Sequence, residues 1–183
     1  MRIKLVRVAK SILKHNLDVG KNDDILIVCD EQRLKIADAL ATAADELNAR
    51  ASIFIITDNF RKSKTVRKAL MSVGLMNMIE YMDVIILCLA NIVSELNFRR
   101  IFLRSIRRFP VRVANLPGIT EETFEIIGKV PRFKDLEKIG NEVACLLANG
   151  KQVRVTSPAG TDISFEVYGW TIPPEISSGY LHQ

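Results

Sequence analysis

Three stretches of this sequence leave no polar side to a strand. Ile25-Leu-Ile-Val-Cys29, Ser52-Ile-Phe-Ile-Ile56 and Asp83-Val-Ile-Ile-Leu-Cys-Leu89 are short and nearly all apolar. A strand with one wet face alternates polar and apolar residues, so strands like these must be covered on both faces. Between them the apolar period changes to that of a helix. Leu5, Val8, Ala9, Ile12 and Asn16 fall on one face of an opening helix, and Leu34, Ala37, Ala41, Ala44 and Leu47 on one face of the next. A further helix is expected from about Ser63 to Val73, a basic one over Glu95 to Arg108, and a weaker fourth strand at Val111-Arg-Val-Ala114. Asp18 to Asp24 reads as a turn in which Gly20 is free to take positive φ. Strands buried on both faces and alternating with helices predict an α/β fold: a three-layer, doubly wound, mostly parallel sheet with right-handed crossovers.

The last third changes character. Pro117-Gly118-Ile-Thr120-Glu121-Glu122 reads as a turn into a capped helix with acids in its first turn. Leu136, Ile139, Val143, Leu146 and Leu147 define another helix, stopped by Asn149-Gly150. Gln152–Thr156 and Asp162–Val167 then alternate strictly about Ser157-Pro-Ala-Gly160, predicting a C-terminal β-hairpin. Its buried face is expected to be Val153, Val155, Ile163, Phe165 and Val167. This divides the chain into a sandwich domain, 1–150, and a hairpin with tail, 151–183. The latter is too short for a core of its own.

The chain has 183 residues, 48% hydrophobic and 26% charged, an ordinary globular composition rather than a disordered one. The longest apolar run, Val84–Ala90, is far too short to cross a bilayer. With no recognisable signal peptide, the expected location is the cytoplasm, with no membrane partner. Cys29, Cys88 and Cys145 are odd in number and widely spaced, which makes neither a disulfide framework nor a metal site. Cys29 and Cys88 read as small core hydrophobes.

The nine glycines stand at least nine residues apart, so neither a dinucleotide-binding nor a phosphate-binding glycine loop can be built. The turn after the first sheet strand, Asp30-Glu31-Gln32, would repel phosphate. Only His15 and His182 are present, so no histidine metal cluster forms locally, and no Gly-x-Ser-x-Gly elbow exists. The net charge of +5 is uneven: eleven of 26 basic residues lie in Arg61–Lys68 and Arg99–Arg112. Arg100, Arg104, Arg107 and Arg108 share one helix face, a candidate surface for nucleic acid or an acidic partner. The simpler reading is a solvated face or a subunit contact, and few aromatic residues interleave with the arginines.

The segment Val153-Arg-Val-Thr-Ser-Pro-Ala-Gly-Thr-Asp-Ile-Ser-Phe-Glu-Val-Tyr-Gly169 resembles the hairpin of the aminopeptidase T-like (leucyl aminopeptidase) metallopeptidases. The related 2,5-dihydroxypyridine dioxygenases carry a similar segment. Leu17 to Ile27 looks like that family's first turn and strand, and Val113 to Glu122 like a later loop. The resemblance implies a metal-dependent hydrolase whose divalent metal is held by Glu, His and Asp side chains of a C-terminal half. Those positions are absent here, and Gly169-Trp170 stands where the family continues Gly-Arg. No cofactor is therefore expected in this chain.

Three readings follow. The first is an aminopeptidase-family N-terminal domain for oligomerisation or substrate access, inactive alone. The resemblance implies that it forms a homodimer or joins a separate catalytic half. The second is an enzyme using its own carboxylates or cysteines. The third is a binding module built on the arginine helix. Catalytic and metal residues are assigned to none. Arg154, Thr156, Thr161, Asp162, Ser164 and Glu166, opposite the hairpin's apolar set, form a candidate interface or cleft face.

Overall fold

The structure, a computed structural model, describes residues 2–61, 65, 74–90, 93–127, 133–169, 174 and 176. Helix α1 (Arg2–His15) leads into β1 (Asp24–Cys29), a 3-10 turn (Glu31–Arg33) and α2 (Leu34–Glu46). Then come β2 (Arg50–Ile55), the short α3 (Asp58–Arg61), α4 (Leu75–Ile79) and β3 (Val84–Cys88). A second 3-10 turn (Val93–Glu95) precedes α5 (Leu96–Ile106), β4 (Arg112–Asn115) and α6 (Glu121–Ile127). Helix α7 (Phe133–Asn149) and strands β5 (Gln152–Thr156) and β6 (Asp162–Glu166) complete the described elements. The helix expected at 63–73 lies almost wholly outside the described residues. Among the described residues no helix is long and apolar enough to cross a membrane.

The four strands of the first sheet are all parallel and lie in the order β2-β1-β3-β4. The two-residue period of a strand explains why continuous apolar runs were needed. Ile25, Ile27 and Cys29, with Val84, Ile86 and Cys88, face the cluster made with α1, α2 and α6. Leu26 and Val28, with Ile85 and Leu87, face the cluster made with α4 and α5. This is the three-layer sandwich expected from the sequence, followed by the antiparallel β5–β6 hairpin. The edge strand β2, however, is not covered on both faces as expected: Ile53 and Ile55 are 36% and 45% exposed, because only one of its edges and part of its surface meet the sheet.

By contact density the chain forms two compact units, Met1–Val130 and Pro131–Tyr180. Helix α7 therefore groups with the hairpin, ahead of the boundary read from the sequence at 151.

Two details of the hairpin and the first turn differ from expectation. Val155, Ile163 and Phe165 are 46%, 55% and 43% exposed, while Val167 is buried. Two strands alone cannot cover their own apolar face, so alternation marked a face without burying it. In the turn before β1, positive φ falls on Asp18 (47°) and Asn22 (72°), not on Gly20. Aspartate and asparagine tolerate the left-handed region better than most side chains. The turn is held by Arg112, whose guanidinium donates to the carbonyls of Leu17 and Asp18 (2.7 and 2.6 Å) and to Asp23 Oδ2 (2.7 Å).

At the same end of the sheet Arg50 forms a two-pronged ion pair with Asp24, at 2.7 and 2.6 Å. The Arg50 hydrogen bond, reinforced by its charge, holds the Asp24 carboxyl below the ordinary aspartate value of 3.8. A carboxyl lowered in the fold stabilises it above the unfolded pKa and loses that contribution as pH falls through the folded value. The melting temperature should therefore fall on acidification below about pH 3.8. Arg50→Met should flatten that part of the profile in thermal melts, and an unchanged profile would remove Asp24 from the account.

Cys29 and Cys88 are neighbours across β1 and β3, both fully buried, whereas Cys145 is exposed. Burial, then the charge of Asp30, pushes the Cys29 thiol up to about 11. Burial chiefly, with Cys29 and Asp30 beside it and Arg33 opposing, pushes Cys88 up as well. A thiol reagent at neutral pH should label Cys145 alone in the native protein and all three cysteines after denaturation. Fast native labelling of Cys29 or Cys88 would show that β1 and β3 open.

Candidate functional site at the carboxyl ends of the strands

Strand β1 is followed in the chain by β2 on one side and, after a return crossover, by β3 on the other. Open parallel sheets present a crevice where successive connections leave in opposite directions, outside the carboxyl ends of the strands. Asp30, the residue after β1, stands at that point and is 2% exposed. Its Oδ2 accepts from the Ala90 amide beyond β3 (2.9 Å), and its Oδ1 from the Arg33 amide (3.1 Å). The Arg33 guanidinium lies 3.3 Å from Asp30 Oδ2 and donates to Gln32 Oε1 at 2.8 Å. Its Nε reaches the Ile119 carbonyl beyond β4, at 3.2 Å. One carboxylate and one guanidinium thus tie together the loops that follow β1, β3 and β4.

Beside this tie opens a cleft of about 380 Å³ lined by Asp30, Glu31, Gln32, Ile56, Thr57, Asp58 and Asn59. The loops after β1 and β2 contribute to its walls, and among the described lining residues the buried Ile56 is the apolar member. Three carboxylates, two side-chain amides and a hydroxyl make a wall rich in hydrogen-bond acceptors. Such a lining suits a small ligand bearing O–H or N–H groups. A second concavity, of about 400 Å³, is formed by α1 and α2 around Ile3, Val6, Arg7, Lys10, Thr42 and Glu46. It draws nothing from the sheet, and Lys10 and Glu46 there are paired at 2.8 Å.

The residues singled out from the sequence lie elsewhere. Arg154 and Asp162 pair through two hydrogen bonds of 2.8 Å on the exposed hairpin. The strand register sets Arg154 opposite Ser164, Thr156 opposite Asp162 and Gln152 opposite Glu166, so the polar face exists as a surface. Thr161 follows the turn, its amide donating to Ser157 Oγ at 3.3 Å. Arg100, Arg104, Arg107 and Arg108 are exposed on α5 and the turn after it. Arg100 bonds Asn97 (3.3 Å), and the Arg108 guanidinium sits 4.8 Å from the Phe109 ring centre. Within the first unit, the arginine set is not among the residues that line the crevice. The signal for Asp30 and Arg33 was an acid and a base three residues apart, immediately after the all-apolar run Ile25–Cys29. The sequence reading used the acid there only to exclude phosphate.

Comparison with known proteins fixes the family. No curated protein sequence matches the chain. Among solved structures, the 2,5-dihydroxypyridine dioxygenase of Pseudomonas putida KT2440 superposes with a TM-score of 0.57 at 14% identity. That alignment covers 91% of this chain and 48% of the other, so the chain spans about half the length of that structure and shares its fold. A C-DES mutant with glycine covalently linked to its PLP cofactor aligns at a TM-score of 0.37 and 16% identity, over 63% of this chain and 29% of that one. So low a score carries no argument.

The expected membership of the aminopeptidase T-like metallopeptidases is corrected by these findings, since the matching family is another one. The matching family model itself runs through the hairpin that carried that expectation, so the hairpin does not single out the peptidases. The hydrolase and metallopeptidase assignments fall with it, and the nucleic-acid or acidic-partner reading of the arginine face gains no support. The model of NicX, 2,5-dihydroxypyridine 5,6-dioxygenase, matches residues 4–180, nearly the whole sequence, and the chain belongs to that family.

Proposed function

We propose that this chain supplies the sheet-bearing part of a dioxygenase acting on 2,5-dihydroxypyridine or a closely similar dihydroxylated nitrogen ring. In this reading the crevice at the carboxyl ends of β1 and β2 receives the ring's hydroxyl groups. The observation that carries the reading is the family match over residues 4–180. The chemistry of the crevice supports it: a dihydroxylated ring brings O–H donors, and Glu31 and Asp58 bring carboxylate acceptors.

Oxygen chemistry of this kind draws on a metal or an organic cofactor. The described residues do not fit a metal: among them no three His, Cys, Asp or Glu side chains converge, and Asp30 is engaged by Arg33 and the Ala90 amide. No step is routed through a metal on this chain, and the crevice is assigned to binding and orientation. The reading also carries a cytoplasmic location, supported by three cysteines without disulfide spacing.

Titration calorimetry tests it. The protein should bind 2,5-dihydroxypyridine saturably and leave unsubstituted pyridine unbound. Replacing Glu31 and Asp58 together (Glu31→Gln, Asp58→Asn) should weaken binding about tenfold, the worth of one charge-assisted hydrogen bond. Absent binding, or a double variant that binds as tightly as wild type, would overturn the assignment.

A further inference from the structure

The chain leaves α7 through Asn149-Gly150, the only Asn-Gly pair in the sequence. The backbone nitrogen after an asparagine can close a five-membered ring on the side-chain carbonyl carbon, and a glycine there puts no Cβ in the way. Asn149 is the last residue of the helix and is exposed. A Cβ built on Gly150 would lie 3.0 Å from the Leu146 carbonyl oxygen and 3.6 Å from Val167 Cγ2, so a bulkier residue would push against the helix end.

Local bonds set when the ring can close. The Gly150 nitrogen, the nucleophile, is held by a long bond of 3.4 Å to the Leu147 carbonyl. The Asn149 carboxamide is held more firmly: its Nδ2 donates to the Cys145 carbonyl one turn back, at 2.8 Å, and lies 3.7 Å from Cys145 Sγ. That bond satisfies one of the last carbonyls of the helix. It also keeps the side chain folded back along α7, so ring closure waits for the last turn to fray.

We propose that Asn149 is a site of spontaneous deamidation, reached in the native protein by fraying of the last turn of α7. The Gly150 nitrogen gives its proton to solvent base and bonds to Asn149 Cγ; the bond from Cγ to Nδ2 breaks and ammonia leaves. Water then opens the cyclic imide at either carbonyl, leaving aspartate or an isoaspartate whose backbone runs through Cβ. No atom is oxidised or reduced. Either product puts a carboxylate where a donor stood. The Cys145 carbonyl loses that partner, and a negative charge appears at the negative end of the helix dipole. A transient opening of the junction between α7 and β5 thereby becomes permanent. The inference does not rest on the assignment of the crevice.

Peptide mass mapping of the full chain in mildly alkaline buffer, native and in urea, tests it, with isoaspartate read by enzymatic methylation. Residue 149 should gain the mass of an NH₂-to-OH exchange, with isoaspartate in excess, about tenfold more slowly in the native protein than in urea. Asn149→Gln, which cannot close the five-membered ring, should stay unmodified. Asn149→Asp, a copy of one product, should speed hydrogen exchange of the amides at 146–150 about tenfold at neutral pH. That excess over wild type should shrink in acid, where a protonated carboxyl can donate to the Cys145 carbonyl again. A native chain still unmodified at 149 once the urea control has reacted fully would overturn the proposal. Equal rates in the two states would overturn the gating by the last turn, and an Asn149→Asp chain that exchanges like wild type would overturn the role of the Cys145 bond.

Discussion

Phe98→Ala is expected to destabilise the first unit by about 4 kcal/mol, the cost of removing a large aromatic side chain from a packed core. Phe98 is fully buried and stands in the middle of a run of rings. Phe60 meets it edge-on at 6.0 Å, Phe102 stacks on it at 5.7 Å, and Phe54 meets Phe60 at 6.1 Å. These rings connect α5, α3 and β2 over the face of the sheet that carries Leu26, Val28, Ile85 and Leu87. Phe98→Leu keeps most of the volume and should cost roughly half as much or less. Urea unfolding followed by circular dichroism measures both. A loss under about 1.5 kcal/mol for the alanine variant would mean that this layer is less tightly packed than described.

Asp30→Ala is expected to cost about 3 kcal/mol, because it leaves buried partners behind. The Arg33 and Asp30 side chains are 12% and 3% exposed, so the guanidinium would lose its counter-charge in a place poorly reached by water. The Ala90 amide would lose its acceptor as well. Asp30→Asn keeps an acceptor for one amide but not the charge, and should fall between the two. Equal stability of all three proteins would show that the tie between the loops holds nothing together.

The fold was legible because burial on both faces leaves a mark in composition. Ile25 to Cys29 and Val84 to Cys88 have no polar side, and only a sandwiched parallel sheet gives such strands a place. The helix start after Ile119 was legible too: Thr120 Oγ1 accepts from the Thr123 amide (3.2 Å), and Thr123 Oγ1 accepts from the Thr120 amide (2.9 Å). The burial of the hairpin was not legible, since alternation at Val155, Ile163 and Phe165 sets a face but not its cover. Strand order was not legible either, because loop lengths do not fix which side of β1 the chain returns to. The crevice stayed hidden for that reason: Asp30 becomes a tie only once β3 lies beside β1. Family membership failed at the hairpin, which the dioxygenase family model also spans.

The most direct test of the account is a map of where 2,5-dihydroxypyridine touches the protein. Backbone amide shifts recorded while the ring is added should saturate together and concentrate in residues 30–33, 56–59 and 89–90. The arginine face at 100–108 should stay unmoved. Shifts that saturate at the hairpin or the arginine face while the crevice is silent would contradict the account, and so would no saturable shift at any residue.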